Sequence, residues 1–132
     1  MEELVDIIDE NDNIIATLSR KEMREKNLRH RSTFILVFNS SGEIFITKRA
    51  ESKETFPGLY EIGQGGVVTH GETYEDSAKR EIKEEVGVNS AKLEFLFDFH
   101  YEDSKTKYIA RTFALARRSL TAHSERRSIR RH

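Results

Sequence analysis

Residues 65–88 read GGVVTHGETYEDSAKREIKEEVGV, and they join a predicted glycine-rich turn at Gly65 and Gly66 to the most strongly patterned helical segment of the chain. Thr73 is a favourable helix N-cap, and Asp76, three residues later, can act as its reciprocal partner. Gly87 is suited to end the helix in the left-handed conformation. These signals predict a helix of about fourteen residues, close to the average length. An apolar residue recurs at every fourth position and predicts a stripe facing the core: Tyr74, Ala78, Ile82 and Val86.

Three glutamates lie beside that stripe within an arc of about 100°: Glu81, Glu84 and Glu85. Carboxylates this close repel one another, and a bound divalent cation would offset the repulsion because hard cations prefer oxygen ligands. An acidic helix face that is merely solvated is the commoner fate of a glutamate-rich helix. Arg80 stands four residues before Glu84 and can pair with it. The carboxylates alone leave both interpretations open.

The spacing of these residues resembles the sequence box of the Nudix hydrolases at every restricted position. Gly66 is followed by five residues and Glu72, and seven more residues lead to Arg80 and Glu81. The motif continues with an aliphatic residue, a free position, two glutamates, a second free position, a glycine and a final aliphatic residue. In this chain the restricted positions are filled by Ile82, Glu84, Glu85, Gly87 and Val88. Nine restricted positions over 23 residues make this a specific motif.

The resemblance implies an α+β Nudix fold, in which a mixed β-sheet packs between helices and an N-terminal β-hairpin is an extension. It implies hydrolysis of a diphosphate linkage in a nucleoside diphosphate joined to another moiety, NDP-X giving NMP and P-X. The implied cofactor is Mg²⁺, with Mn²⁺ as a substitute. By the resemblance, Glu81 and Glu85 are metal ligands, and Glu84 is a third ligand or the catalytic base. All three are therefore candidate catalytic residues.

Four further residues complete the candidate site. Arg80 is a catalytic candidate whose expected part is to fix a glutamate through a bidentate salt bridge. Gly65 and Gly66 let the backbone approach a phosphate or a metal ion closely. Arg31 and Arg49 could reach a phosphate, although arginines at such positions are more often plain surface charges. The expected partner is a small-molecule diphosphate substrate.

The stretches at 5–23, 28–34 and 47–60 resemble the branch of the superfamily that contains isopentenyl-diphosphate isomerase, which makes allylic isomerisation the rival reaction. That enzyme needs a cysteine near the position of Gly65, and this chain has no cysteine. The metal-ligating histidine next to that cysteine has no counterpart in Gly66-Val67-Val68. His30 matches another isomerase ligand position, but alone it is expected to be structural or on the surface. A catalytically weak nucleotide-binding module is the other alternative.

The first third of the chain also contains clear secondary-structure signals. Two short apolar runs at 4–9 and 14–18 predict a β-hairpin. Ser19 can cap a short helix that follows the hairpin. Residues 27–31 read as a basic link, and 32–39 as a strand rich in β-branched and aromatic residues.

Strand patterns return after the helix of the box. Residues 92–101 alternate with a period of two, which predicts a strand with one buried face. The members of that face are Leu93, Phe95, Phe97, Phe99 and Tyr101. A return strand is expected over 106–115. The aromatic stripe is expected to belong to the core rather than to a nucleobase site.

Length and composition limit the classes that remain. A chain of 132 residues is long enough for one domain with a real core. The absence of cysteine excludes disulfides, thiolate metal sites and a cysteine nucleophile. A formal charge of −1 predicts no general affinity for nucleic acid. No apolar run has the length of a membrane span and the N-terminus lacks a signal-peptide pattern, so no membrane partner and a cytoplasmic location are expected.

The predicted organisation is a hairpin and short helix at 1–29 within the same domain, a Nudix domain at 30–116 with its box at 66–88, and an arginine-rich tail at 117–132. The tail holds six arginines and one acidic residue. It has too few apolar residues to bury a closing helix, which indicates a truncated or altered C-terminus. A functional basic arm for RNA or phosphate is the alternative. A homodimer is left open.

Overall fold

A computed structural model of the chain describes residues 2–38, 41, 43, 46–48, 60–62, 64–87 and 92–115. Eight strands and two helices occur in this part of the chain. In order they are β1 (Leu4–Ile8), β2 (Ile14–Ser19), α1 (Arg20–Glu25), β3 (Arg29–Val37), β4 (Ile46–Lys48), β5 (Tyr60–Ile62), β6 (Gln64–Val67), α2 (Tyr74–Val86), β7 (Leu93–Glu102) and β8 (Lys107–Leu115). The α+β class is confirmed, whereas Arg49 and the tail at 117–132 lie outside the described residues.

Strand β3 is the centre of the main sheet. It pairs in parallel with β8 along its whole length, from Arg29 opposite Lys107 to Val37 opposite Leu115. Its other edge pairs antiparallel with β1 at His30 and with β6 further along. The order is β2-β1-β3-β8-β7, and β4 and β5 form a separate two-stranded sheet. The mixed sheet predicted from the resemblance is therefore confirmed.

Helix α2 packs on one face of this sheet, called the α2 face below. The apolar stripe faces inward as predicted, with Tyr74, Ala78 and Ile82 all buried. They share one core cluster with residues of β3, the β6–α2 connection and β8, namely Ile35, Val37, Val68, Phe113 and Leu115. Burying a side chain such as Ile82 contributes about 1.5–3 kcal/mol, so this stripe fixes how the helix lies on the sheet.

The N-terminal hairpin is also confirmed. Strands β1 and β2 pair antiparallel from Leu4 opposite Ser19, and the Ser19 hydroxyl accepts a hydrogen bond from the Glu22 backbone at the start of α1. A second apolar cluster, which includes Met23 of α1, joins this hairpin to β6 through Val67. No helix in the described ranges is long and apolar enough to cross a membrane.

The predicted basic link at 27–31 is wrong for its last three residues, because β3 begins at Arg29 rather than at Ser32. His30 lies opposite Ile7 of β1 and opposite Tyr108 of β8, so it has strand partners on both sides. Pairing with two neighbours overrides the polar character of this segment, on which the prediction rested.

The expected glycine-rich turn is also wrong at Gly65 and Gly66. Both residues lie in β6, where Gly65 stands opposite Phe34 and Gly66 opposite Thr33. The chain turns later, where the Glu72 backbone N–H donates to the Thr69 carbonyl. Tertiary pairing with the central strand holds these glycines extended, although glycine is poorly represented in strands.

The single buried aromatic face predicted for 92–101 is wrong as well. A β-bulge lies between Phe95, which is opposite Phe113, and Phe97, which is opposite Thr112. Phe95 therefore shares the α2 face, whereas Phe97, Phe99 and Tyr101 line the other face. The exposed fractions of Phe95 and Phe97 are 55% and 50%. An extra residue reverses the alternation, and period-two reasoning cannot detect it when both neighbours are apolar.

Candidate active site at the glutamate flank of helix α2

The ends of α2 are fixed as its sequence predicts. The Thr73 hydroxyl accepts from the Asp76 backbone at 3.0 Å, and the Asp76 carboxylate accepts from the Thr73 backbone at 3.2 Å. Gly87 ends the helix with φ of 75° in the left-handed region. The helix has 13 residues, close to the length expected. The positions of Glu81, Glu84 and Glu85 around α2, called the glutamate flank below, are thus set by strong local signals.

Arg80 holds Glu72 through both carboxylate oxygens. Its Nε lies 2.7 Å from Oε2 and its Nη2 lies 3.0 Å from Oε1. Thr69 completes the site, because its backbone N–H and its hydroxyl donate to the same Oε1 at 3.1 and 2.8 Å. The hydrogen bonds from Arg80 lower the pKa of Glu72, while Glu72 in turn raises the pKa of Arg80. The expected bidentate pair exists, and its carboxylate is that of Glu72.

The Glu81 carboxylate lies directly over Gly66 of β6. A Cβ added at Gly66 would stand 2.9 Å from the Glu81 carboxyl carbon and closer still to Oε1. The Glu81 side chain is only 13% exposed, and Arg80 Nη1 approaches its Oε1 at 3.3 Å. Only glycine at position 66 leaves the strand backbone open to this carboxylate. The sequence pairs these two residues only as members of one motif, not as a contact.

The remaining two glutamates are less enclosed. Glu84 is 60% exposed, with its Oε1 3.5 Å from Arg80 Nη1, so the predicted pair with Arg80 is present. The side chain of Glu85 lies outside the described residues, although its backbone is the next step of the helix. Among the side chains that the structure describes, no three histidine, aspartate or glutamate groups are close enough to hold a metal ion. The Arg80 guanidinium stands between Glu81 and Glu84 and offsets their mutual repulsion.

Arg31 is engaged within the protein. Its Nε donates to Asp12 Oδ1 at 2.7 Å and its Nη2 donates to the Asp12 carbonyl at 2.9 Å. Its guanidinium carbon lies 5.4 Å from the centre of the Tyr74 ring, and that of Arg111 lies 4.4 Å from it. Tyr74 is buried, as expected, and its hydroxyl donates to Asp12. Phosphate binding by Arg31 stays a prediction, as does that by Arg49.

Sequence reasoning missed Asp12 and the pairing of Arg111 with Asp98. Asp12 stands in the turn of the hairpin with φ of 65°, which aspartate tolerates better than most residues. Arg111 donates to both oxygens of Asp98 at 2.8 and 3.1 Å. The only signal in the sequence is a cluster of Asx residues in the hairpin turn, which indicates turn formation but not a distant partner.

The two histidines near the box occupy different environments. His30 is buried on the sheet face opposite α2, and its Nδ1 lies 3.1 Å from the Leu28 carbonyl. Burial lowers its pKa to about 4, and the nearby Arg24 and Arg20 add to this effect. It is therefore structural, as expected, and does not reach the glutamate flank. His70 is exposed, and its Nδ1 lies 2.8 Å from the Asp6 carboxylate.

Comparison with known proteins identifies the family of this chain. The family described as NUDIX domain matches residues 28–126. The chain belongs to the Nudix family. It is 44% identical over 101 residues to an uncharacterized Nudix hydrolase of Yersinia pestis and 45% identical over 100 residues to one of Pseudomonas aeruginosa. These matches cover 76% and 73% of this chain but only 56% and 59% of the relatives, so the chain spans little more than half of their length.

Among solved structures, a hypothetical Nudix protein of Deinococcus radiodurans is similar in fold and sequence. The TM-score is 0.71 at 27% identity, over 86% of this chain and 71% of that protein. The Nudix fold is thus shown by both sequence and structure.

Proposed function

We propose that this chain is a divalent-metal-dependent hydrolase of a diphosphate linkage, converting NDP-X to NMP and P-X. The observation that carries the proposal is the placement of the Glu81 carboxylate over the bare backbone of Gly66. An exposed acidic face needs no such contact, because a solvated glutamate gains nothing by lying against a strand. The membership of the Nudix family supports the same conclusion.

The glutamate flank has the right donor chemistry for Mg²⁺ or Mn²⁺. Glu81, Glu84 and Glu85 offer hard carboxylate oxygens, and the lack of a side chain at Gly66 lets the Glu81 carboxylate lie against the strand backbone. We assign metal binding to these three glutamates. A bound divalent cation would neutralise phosphate charge and lower the pKa of water.

The other steps of the reaction are assigned to individual residues of the site. Arg80, held by Glu72, places its guanidinium against the carboxylates of both Glu81 and Glu84. Glu84 is the most solvent-accessible of the described glutamates in this flank, and we assign it the proton of the attacking water. Water oxygen bonds to phosphorus, the bridging P–O bond breaks, and the bridging oxygen leaves with the other product. We assign close backbone approach to the diphosphate to Gly65 and Gly66, with the Glu81 carboxylate beside Gly66.

The test is a panel of nucleoside diphosphates joined to sugars, alcohols or a second nucleotide, incubated with and without Mg²⁺. We expect release of NMP from at least one compound, only when the metal ion is present. Binding of nucleotide without product would instead identify a binding module. Conversion of isopentenyl diphosphate would identify an isomerase, which the lack of cysteine and the position of His30 both oppose.

A further inference from the structure

The N-terminal hairpin lies outside the matched family region, which begins at residue 28, yet it contacts the connection that leads into α2. Val5 of β1 forms an isolated antiparallel bridge with Thr69. The backbone N–H of His70 donates to the Leu4 carbonyl at 2.9 Å. Strand β1 therefore provides a backbone template for this connection.

A side-chain contact strengthens the same junction. Asp6 on β1 is buried, and its Oδ1 accepts from the Thr17 hydroxyl at 2.9 Å. His70 Nδ1 lies 2.8 Å from the same oxygen. Since a carboxylate can only accept, the imidazole donates from Nδ1. Because the Asp6 carboxylate is buried and is also hydrogen-bonded to Thr17, it holds the His70 ring in one orientation.

The turn of the hairpin makes a second attachment, at the first residue of α2. Asp9 accepts hydrogen bonds from the backbones of Asn11 and Asn13 at 2.9 Å each, which fixes the turn. Asp12 then accepts from the Tyr74 hydroxyl, 3.2 Å from either of its carboxylate oxygens. Arg31 binds the same carboxylate and keeps it in place.

A short chain of hydrogen bonds and ion pairs joins these attachments to the glutamate flank. Thr69, which β1 holds, donates twice to Glu72, and Glu72 holds Arg80. Arg80 contacts the carboxylates of Glu81 at 3.3 Å and Glu84 at 3.5 Å. A shift of the connection would therefore move the guanidinium that separates the two glutamates.

We propose that the N-terminal hairpin is a positioning element of the active site, with Asp6 and Asp12 as its positioning residues. Asp6 orients the connection through His70, and Asp12 orients the start of α2 through Tyr74. Neither residue touches the substrate. The inference rests on the proposed hydrolase function only for its effect on turnover, since the effect on Arg80 can be observed without any substrate.

The first experiment compares turnover of the full chain with that of His70→Ala and Tyr74→Phe, which remove one attachment each. We expect kcat to fall about tenfold in each variant with KM nearly unchanged, because small displacements of catalytic groups cost this much or more. His70→Asn should restore kcat, since its amide can donate to Asp6 as Nδ1 does. Glu3→Gln is the matched control, because it removes only the exposed pair between Glu3 and Arg20 on the same hairpin.

The second experiment follows the Arg80 Nε–H signal in ¹H–¹⁵N spectra, which reports the bond to Glu72 directly. We expect the signal to shift and to exchange faster with solvent in His70→Ala and Asp12→Ala, and to stay in place in Glu3→Gln. A signal that is unmoved in both variants overturns the proposal, and so does an equal change in the control. If the wild-type chain hydrolyses nothing but the signal responds, the positioning stands and the proposed function fails.

Discussion

Arg80 and Glu72 form a two-point ion pair, with Nε 2.7 Å from Oε2 and Nη2 3.0 Å from Oε1, that ties α2 to the segment before it. The pair crosses from the second turn of the helix to a residue just before its N-cap. Thr69 donates twice to the same carboxylate. Because the remaining Nη1 of Arg80 faces Glu81 and Glu84, the pair also determines where the positive charge of the flank lies.

Replacing Glu72 with glutamine should therefore affect both stability and turnover. We expect the free energy of unfolding to fall by about 2 kcal/mol, because hydrogen bonds to charged groups are lost from a partly enclosed guanidinium. Urea unfolding measures this change, with Glu75→Gln on the exposed side of α2 as the control. The pKa of Glu72 is lowered in the folded state, so its contribution is present above the unfolded pKa and is lost as pH falls through the folded pKa. Equal stability of wild type and variant at neutral pH would contradict the assignment.

Gly66→Ala tests the contact between β6 and Glu81. Gly66 lies in a strand, so alanine is compatible with the backbone, but its methyl group would collide with the Glu81 carboxylate. We expect kcat to fall about 100-fold through displacement of that carboxylate. Gly87→Ala provides the contrast, since its Cβ meets nothing and its cost is one of backbone conformation, about 1 kcal/mol of stability. Steady-state kinetics and urea unfolding of both variants separate the two effects, and unchanged turnover in Gly66→Ala would remove the contact from the mechanism.

Glu81→Gln and Glu84→Gln test the division of labour in the flank. Each change keeps the shape of the side chain and removes its charge, so we expect kcat to fall by about 10²–10⁴-fold. Glu75→Gln, on the same helix but paired only with Lys79 at 3.5 Å, should retain wild-type turnover. Wild-type rates in both flank variants would refute the assigned roles.

His30 should make the fold sensitive to acid. Its pKa is lowered to about 4 by burial, against an ordinary value of 6.5 in the unfolded chain. The unfolded state therefore binds more protons between these values, and stability falls as pH falls through this window. We expect a loss of about 2 kcal/mol between pH 7 and pH 5 from this residue alone. Urea unfolding at both pH values measures this loss of unfolding free energy. In His30→Asn the loss between pH 7 and pH 5 should be smaller by about 2 kcal/mol. An equal loss in the variant and the wild type would show that His30 is not the source.

Local signals in the box predicted α2 well. Its capping residues, its apolar stripe and the pairing capacity of Arg80 all depend on neighbours within one or two turns, which the sequence displays directly. That Glu72 is the main partner of Arg80 could not be predicted, because it depends on how the segment between β6 and α2 folds. The contact of Glu81 with Gly66 needed the packing of α2 on β6, which no local pattern contains.

Strand predictions failed where tertiary pairing decided the outcome. Gly65 and Gly66 read as a turn because glycine favours turns, yet their partners on β3 hold them extended. The bulge between Phe95 and Phe97 moved the later aromatic residues to the other face of the sheet. The sequence did not reveal the bulge, because the residues on both sides of it are apolar. Asp12 could not be connected with Tyr74 from the sequence, because 62 residues separate them and neither belongs to a shared motif.

The measurement closest to the central claim is a calorimetric titration of the full chain with Mn²⁺, repeated with a nucleoside diphosphate present. The account predicts uptake of the metal ion by the wild type, strengthened by the nucleotide and weakened at least about tenfold in Glu81→Gln, because one carboxylate ligand is lost. Glu75→Gln should bind as the wild type does. No uptake with the nucleotide present, or equal affinity in Glu81→Gln, would contradict the claim that the glutamate flank holds a divalent cation.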